Sequence, residues 1–161
     1  FIYEREASGE WVKVATIEAD FDNFRQRDSF FGWYVELEHD VAYISSKQGV
    51  SNGFHQGTVH IFRRESRVLW SERQVLHPPV VDADGDNSHF GFTLQVDGNT
   101  MVVGQPYYGH NNNNGVAPSQ GLAHVFTYDA APGQWIFTQT LEPAIIKTPY
   151  WSEFGLSLIH I

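Results

Sequence analysis

Apolar and polar residues alternate along this chain in short runs. Phe31 to Leu37 and Phe90 to Val96 each place a large apolar side chain at every second position, the period of a strand with one buried face. Asp97-Gly98-Asn99 follows the second run and Glu38-His39-Asp40 the first, supplying residues that tolerate the positive φ of a tight hairpin. A second strand is therefore expected over Val41 to Ile44 and over Met101 to Gly104. A third is expected over Gly57 to Phe62 and Gly121 to Phe126, with Phe1 to Tyr3 as the remnant of another copy. No stretch keeps a helical period for more than a turn or two, so the chain is predicted to be all-β.

The fourth strand of each copy opens on a tryptophan. Trp11, Trp70 and Trp135 each begin a W-x5-[I/L] run, each is preceded by Tyr3, Phe62 or Phe126, and each is followed by Phe31-Gly32, Phe90-Gly91 or Phe154-Gly155. Landmarks recurring in a fixed order at spacings of 59 residues (Trp11 to Trp70) and 65 (Trp70 to Trp135) mark a repeat array. Four antiparallel strands per repeat make one propeller blade, a sheet apolar on both faces that is stable only when neighbours cover it. The expected architecture is a partial β-propeller of about two and a half blades. Residues 1–30 end one blade, 31–89 form a second, 90–153 a third, and 154–155 begin a fourth. Phe of each Phe-Gly pair is expected to fill the wedge between blades, and the repeated tryptophans to pack between blades as well. The glycine allows close backbone approach, so Gly91→Val should clash.

The residues Phe90-Gly91-Phe92-Thr93-Leu94, Met101-Val102-Val103-Gly104-Gln105-Pro106 and Gly121-Leu122-Ala123-His124-Val125-Phe126 resemble the FG-GAP repeat, named for Phe-Gly and Gly-Ala-Pro. The likeness runs over nearly all of residues 1–155 and is strongest in the second unit. In the first, Ser45-Ser46-Lys47 stands at the Gly-Ala-Pro position. The resemblance implies a propeller like that of integrin α-chains, drawn from a large secreted or cell-surface protein. The family's integrin-like calcium loop between first and second strands is missing from these units, which are closer to its bacterial-style version.

Composition narrows the classes of partner. With 19 acidic against 10 basic residues the net charge is −9, which repels phosphate backbones and anionic membranes and argues against nucleic acid. The chain has no cysteine, hence neither disulfides nor thiolate metal ligands, and no apolar run long enough for a spanning helix. It begins without Met inside an expected strand, which suggests a fragment. Leu156 to Ile161 matches the peptide translated from a transposon end used in sequencing libraries and is read as a scar, although Leu158 also fits the repeat; residues 156–161 are set aside from the fold reading.

Two places carry candidate chemistry. Asp82, Asp84 and Asp86 alternate in a Gly-containing loop and could converge on Ca²⁺, the one cofactor the sequence offers. Glycine in the fourth loop position and Thr93 in the twelfth depart from an EF-hand, and a solvated acidic turn is the competing reading. The loops between second and third strands hold Tyr107, Tyr108 and His110 in one copy and Phe54 and His55 in the other. Propeller insertions in one register gather on one face, where aromatic and amide groups can bind a protein or glycan partner. His60 and His124 occupy equivalent repeat positions and are expected to be structural. No H-E-x-x-H motif and no cysteine nucleophile is present. A non-catalytic binding or adhesion segment is thus expected, with an accessory propeller of a multidomain hydrolase or a purely structural array as alternatives.

Overall fold

A computed structural model describes residues 1–18, 29–51, 53–80, 87–109, 120–143 and 154–157. Its strands in chain order are β1 (Ile2–Arg5), β2 (Trp11–Ala15), β3 (Phe31–Glu38), β4 (Val41–Ser46), β5 (Val50–Ser51), β6 (Phe54–His55), β7 (Thr58–Arg64), β8 (Trp70–Leu76), β9 (Leu94–Asp97), β10 (Thr100–Gln105), β11 (Leu122–Asp129) and β12 (Gln134–Leu141). No helix occurs among the described residues. Two four-stranded antiparallel sheets, β3-β4-β7-β8 and β9-β10-β11-β12, follow chain order; β1-β2 and β5-β6 are two-stranded, and no sheet closes on itself. The hairpins turn where the sequence allows positive φ, at His39 (53°) and Gly98 (55°).

Two elements differ from the sequence reading. The strand expected from Phe90 begins only at Leu94, because Phe92 N–H bonds His89 O at 3.0 Å and closes a turn over residues with φ of 56° (His89) and 84° (Gly91). The corresponding segment of β3 is irregular as well, its pairing with β4 shifting register between Phe31 and Val35. The β5-β6 hairpin was not foreseen, since two-residue strands are too short to display a period.

The sheets bury each other. Tyr43, Val59, Ile61 and Leu76 from one meet Phe90, Leu94, Val96, Met101, Val103, Phe126 and Trp135 from the other in a single apolar cluster. The opposite face of the first sheet packs Ala42, Ile44 and Phe62 with Ile17, Phe31 and Trp70. Both faces of β4 are therefore covered, which is why all of Ala42 to Ser46 is buried. Phe90 is 0% exposed, burial that contributes about 1.5–3 kcal/mol.

Two of the three Phe-Gly pairs, Phe90-Gly91 and Phe154-Gly155, dock on the preceding repeat in the same way. Phe90 N–H donates to Gln56 O at 2.7 Å and Phe154 N–H to Gln120 O at 3.3 Å. The next residue in each case is a glycine, Gly57 or Gly121, where a Cβ would overlap the backbone of Phe90 or Phe154. A Cβ on Gly104 would likewise strike Gly155 O, so the glycine of Gly104-Gln105-Pro106 makes room for the following Phe-Gly. A Cβ on Gly91 would sit 3.0 Å from Ser45 Cβ, 3.1 Å from Thr58 O and 3.1 Å from Val59 Cγ2, tight on three sides as expected for Gly91→Val.

The three tryptophans do not share one environment, contrary to the expectation of uniform packing. Trp135 is buried (5% exposed) against the first sheet, its ring T-shaped to Tyr43 at 5.9 Å. Trp70 is half-buried toward Ile17, and Trp11 is 66% exposed. Each lies at or next to the start of its strand, and its burial follows from what covers that face: the first four-stranded sheet for Trp135, the segment at Ile17 just beyond β2 for Trp70, and no described element for Trp11. Gln74 fixes the best covered of them, donating Nε2 to Trp135 O and accepting Trp135 N–H through Oε1, both at 2.8 Å. Gln74→Ala should cost about 2 kcal/mol in urea denaturation, because it orphans two backbone groups. Gln74→Glu should not restore the loss, since a carboxylate cannot donate to Trp135 O.

Candidate functional site

Aromatic side chains from both four-stranded sheets converge where β3, β4, β9 and β10 meet their connecting loops. Phe30 precedes β3 in a left-handed conformation (φ 55°) and His89 holds the equivalent place before β9 (φ 56°). Trp33 and Phe92, each one residue beyond its Phe-Gly pair, also correspond; their rings lie 5.1 Å apart, and Trp33 Nε1–H donates to Phe92 O at 3.1 Å. Phe92 continues to Tyr107 (5.8 Å, edge-on) and His89 (6.2 Å, stacked), while His89 meets Tyr107 at 4.9 Å. Equivalent residues touch because β3 and β9 run side by side, a relation also marked by Gln95 Nε2 donating to Glu36 Oε1 (3.1 Å) and Gly98 N–H to Glu38 Oε1 (3.2 Å).

Lys47, the residue after β4, reaches into this group. Its Nζ lies 3.5 Å from the Trp33 ring centroid, 4.7 Å from that of Phe30 and 6.0 Å from that of Phe92. The negative faces of the rings hold the ammonium, an attraction of about 0.5–2 kcal/mol per good contact. Phe30 is 51% exposed and Trp33 42%, so the cluster presents apolar ring surface to solvent. Both ring nitrogens of His89 are buried and without a hydrogen-bond partner. Burial, with a smaller contribution from the Lys47 charge, pushes its pKa down to about 4, which keeps the imidazole neutral as one more aromatic wall.

The candidate residues fall into three groups. Tyr107 belongs to the cluster. Tyr108 is half-buried, and its carbonyl accepts from Gln120 N–H (3.2 Å) and Gly121 N–H (3.3 Å). Phe54 (44% exposed) and His55 sit on β6 instead; His55 Nδ1–H donates to Gln48 O at 3.2 Å, and Gln48 Nε2 donates to Asn87 Oδ1 at 3.1 Å. Gln48 thus ties the Phe54-His55 loop to Asn87 in the segment before β9, and no ring contact joins Phe54 to Tyr107 among the described residues. His110, with Asp82, Asp84 and Asp86, lies outside the described residues, among which no group of three or more His, Cys, Asp or Glu could hold a metal ion.

Sequence reasoning missed Phe30, Trp33, Lys47, His89 and Phe92. A signal was present: Phe-Gly is followed at once by an aromatic in both Phe31-Gly32-Trp33 and Phe90-Gly91-Phe92. For Lys47 there was none, because it meets the rings only after folding.

The equivalent histidines have unlike partners. His124 is 0% exposed and bonds within its own sheet, Nε2 to Gln105 Oε1 at 2.7 Å and Nδ1 to Thr140 Oγ1 at 3.1 Å. Gln105 Nε2 then donates to Ser88 Oγ at 2.7 Å. An amide oxygen only accepts, so the proton sits on His124 Nε2 and the Thr140 hydroxyl donates to Nδ1. His60 lies instead 2.7 Å from Glu72 and 3.0 Å from Thr58.

No model of a known protein family matches the chain. A search among curated proteins finds none similar to it.

Proposed function

We propose that the chain is part of an FG-GAP-type β-propeller in which each four-stranded sheet is a blade, and that it serves a larger secreted or cell-surface protein as a non-catalytic binding segment. The repeated docking of Phe90 on Gly57 and Phe154 on Gly121 supports the propeller reading, since one relation between neighbours, applied again and again, generates such an array. The binding reading rests on a single observation: Phe30, Trp33, Phe92 and Tyr107 gather on one rim with ring surface left in solvent. Exposed rings on a rigid scaffold suit the apolar faces of a glycan, or an aromatic hot spot of a protein partner. Of the two we favour a glycan.

Screening the fluorescently labelled chain on a glycan array tests this. Binding to a subset of glycans is expected, weakened about tenfold in Phe30→Ala, whose exposed ring the fold does not need. An empty array, or unchanged binding by Phe30→Ala, overturns the assignment of the rim.

A further inference from the structure

Lys47 is the unusual member of the rim. On a chain of net charge −9, its ammonium is paired with no carboxylate among the described residues, although Arg64, Arg67 and Arg73 all are. The backbone beneath it is pinned. Ser46 is 1% exposed and its Oγ lies 3.2 Å from Ser29 Oγ, Gln48 N–H donates to Ser29 O at 3.1 Å, and Gly49 N–H donates to Ser46 O at 2.8 Å. The stem therefore leaves a fixed point, and the rings hold its end, so little conformational freedom remains to be lost when an anion arrives.

We propose that this rim is a subsite for an acidic sugar, a uronate whose carboxylate pairs with Lys47 while its pyranose face lies on the exposed ring of Phe30 beside Trp33. The inference rests on the glycan reading above and narrows it. Three features match one ligand. The rings supply an apolar surface for the C–H face of a pyranose. The ammonium lies 3.5 Å from the Trp33 centroid, so an anion that reaches it also reaches the ring. Beyond their mutual bond, the Gln48 and Asn87 amides next to the cluster carry further donor and acceptor capacity for hydroxyl groups. Among the described residues, the groups facing the ammonium are Phe30, Trp33 and Phe92, with His89 behind Phe92, and none of these carries a negative charge. Electrostatically the site is an isolated positive point on an acidic molecule, which selects a ligand that couples one charge to an apolar face over a uniformly charged polymer.

Calorimetric titration of the chain with oligogalacturonate, with its fully methyl-esterified form, and with an oligoglutamate of matched charge tests the proposal. The acid is expected to bind about tenfold tighter than the ester, as a charge-assisted bond does over its neutral counterpart, and oligoglutamate is expected not to compete. Lys47→Met keeps an unbranched apolar stem on the rings and should bind acid and ester alike. Phe30→Ala should weaken both about equally. Equal affinity of wild type for acid and ester, a preference that survives Lys47→Met, or competition by oligoglutamate overturns the acidic-sugar assignment and leaves the glycan reading standing. Failure to bind either saccharide also overturns it; the glycan reading falls with it only when the array is empty too.

Discussion

Gly57→Val is expected to remove most of the chain's folding stability, by more than about 4 kcal/mol, the scale reserved for substitutions that force buried backbone apart. Gly57 sits at φ 97°, in the left-handed range that a β-branched residue avoids, and a Cβ there would overlap the carbonyl of Phe90. Relief is not available by a rotamer change, because the obstacle is backbone. Phe90 N–H also bonds Gln56 O at 2.7 Å, so moving Phe90 away breaks that bond and opens the cluster around a ring that is 0% exposed. Gly32→Ala is the informative control: φ is 88°, yet a Cβ there meets nothing within 4 Å. It should cost only the conformational strain, about 1–3 kcal/mol. Urea denaturation followed by near-ultraviolet circular dichroism separates the two; equal losses would mean that the close approach of Phe90 does not hold the sheets together. Gly121→Val should behave as Gly57→Val does, since Phe154 stands over Gly121 in the same way.

Acid should destabilise the chain well above the range in which its carboxylates titrate. Burial pushes the His124 pKa from an ordinary 6.5 down to about 4, so between those values the unfolded chain takes up a proton that the folded chain refuses. The stability contributed by neutral His124 is complete above about pH 6.5 and is lost as pH falls toward 4. A shift of this size corresponds to about 3 kcal/mol. His89 acts in the same direction, and His77 does too, through burial and the nearby His60. Glu4 and Glu65 are held below the ordinary 4.5, chiefly by hydrogen bonds from Arg67 and from Ser71 respectively, so their contribution is lost only as pH drops below that value. Thermal melts between pH 6.5 and 4.5 therefore isolate the histidines. His124→Gln should flatten the dependence by about one proton. Retention of the full slope would place the proton uptake elsewhere.

The repeat itself was legible because strand periodicity and hairpin residues are local. Alternation over Phe31 to Leu37, the Asp97-Gly98-Asn99 turn and the recurrent tryptophans each reflect how a chain fits a pleated sheet, which neighbouring residues decide among themselves. The division into four-stranded antiparallel sheets followed. Where alternation was interrupted the reading slipped: the turn at His89 to Phe92 looked like strand because its apolar residues keep the right spacing while the backbone bends through positive φ.

Of the candidate rim only Tyr107 was legible, for the same reason. Tyr107 and Tyr108 stood out as aromatics in a loop, but their neighbours in space come from other segments. Phe30 and Trp33 reach Phe92 only because equivalent strands of consecutive sheets lie side by side, and Lys47 finds its rings across that junction. The sequence alone determined that this protein folds as repeated antiparallel strands. Close approach is needed at the second and third Phe-Gly pairs, at Gly91 and Gly155, but not at Gly32. Tertiary structure alone decided which equivalent residues become different things: Trp135 buried and Trp11 in solvent, His124 locked to Gln105 and His60 beside Glu72. Burial and partnership are properties of the face that covers a residue, and a strand's own sequence does not contain that face.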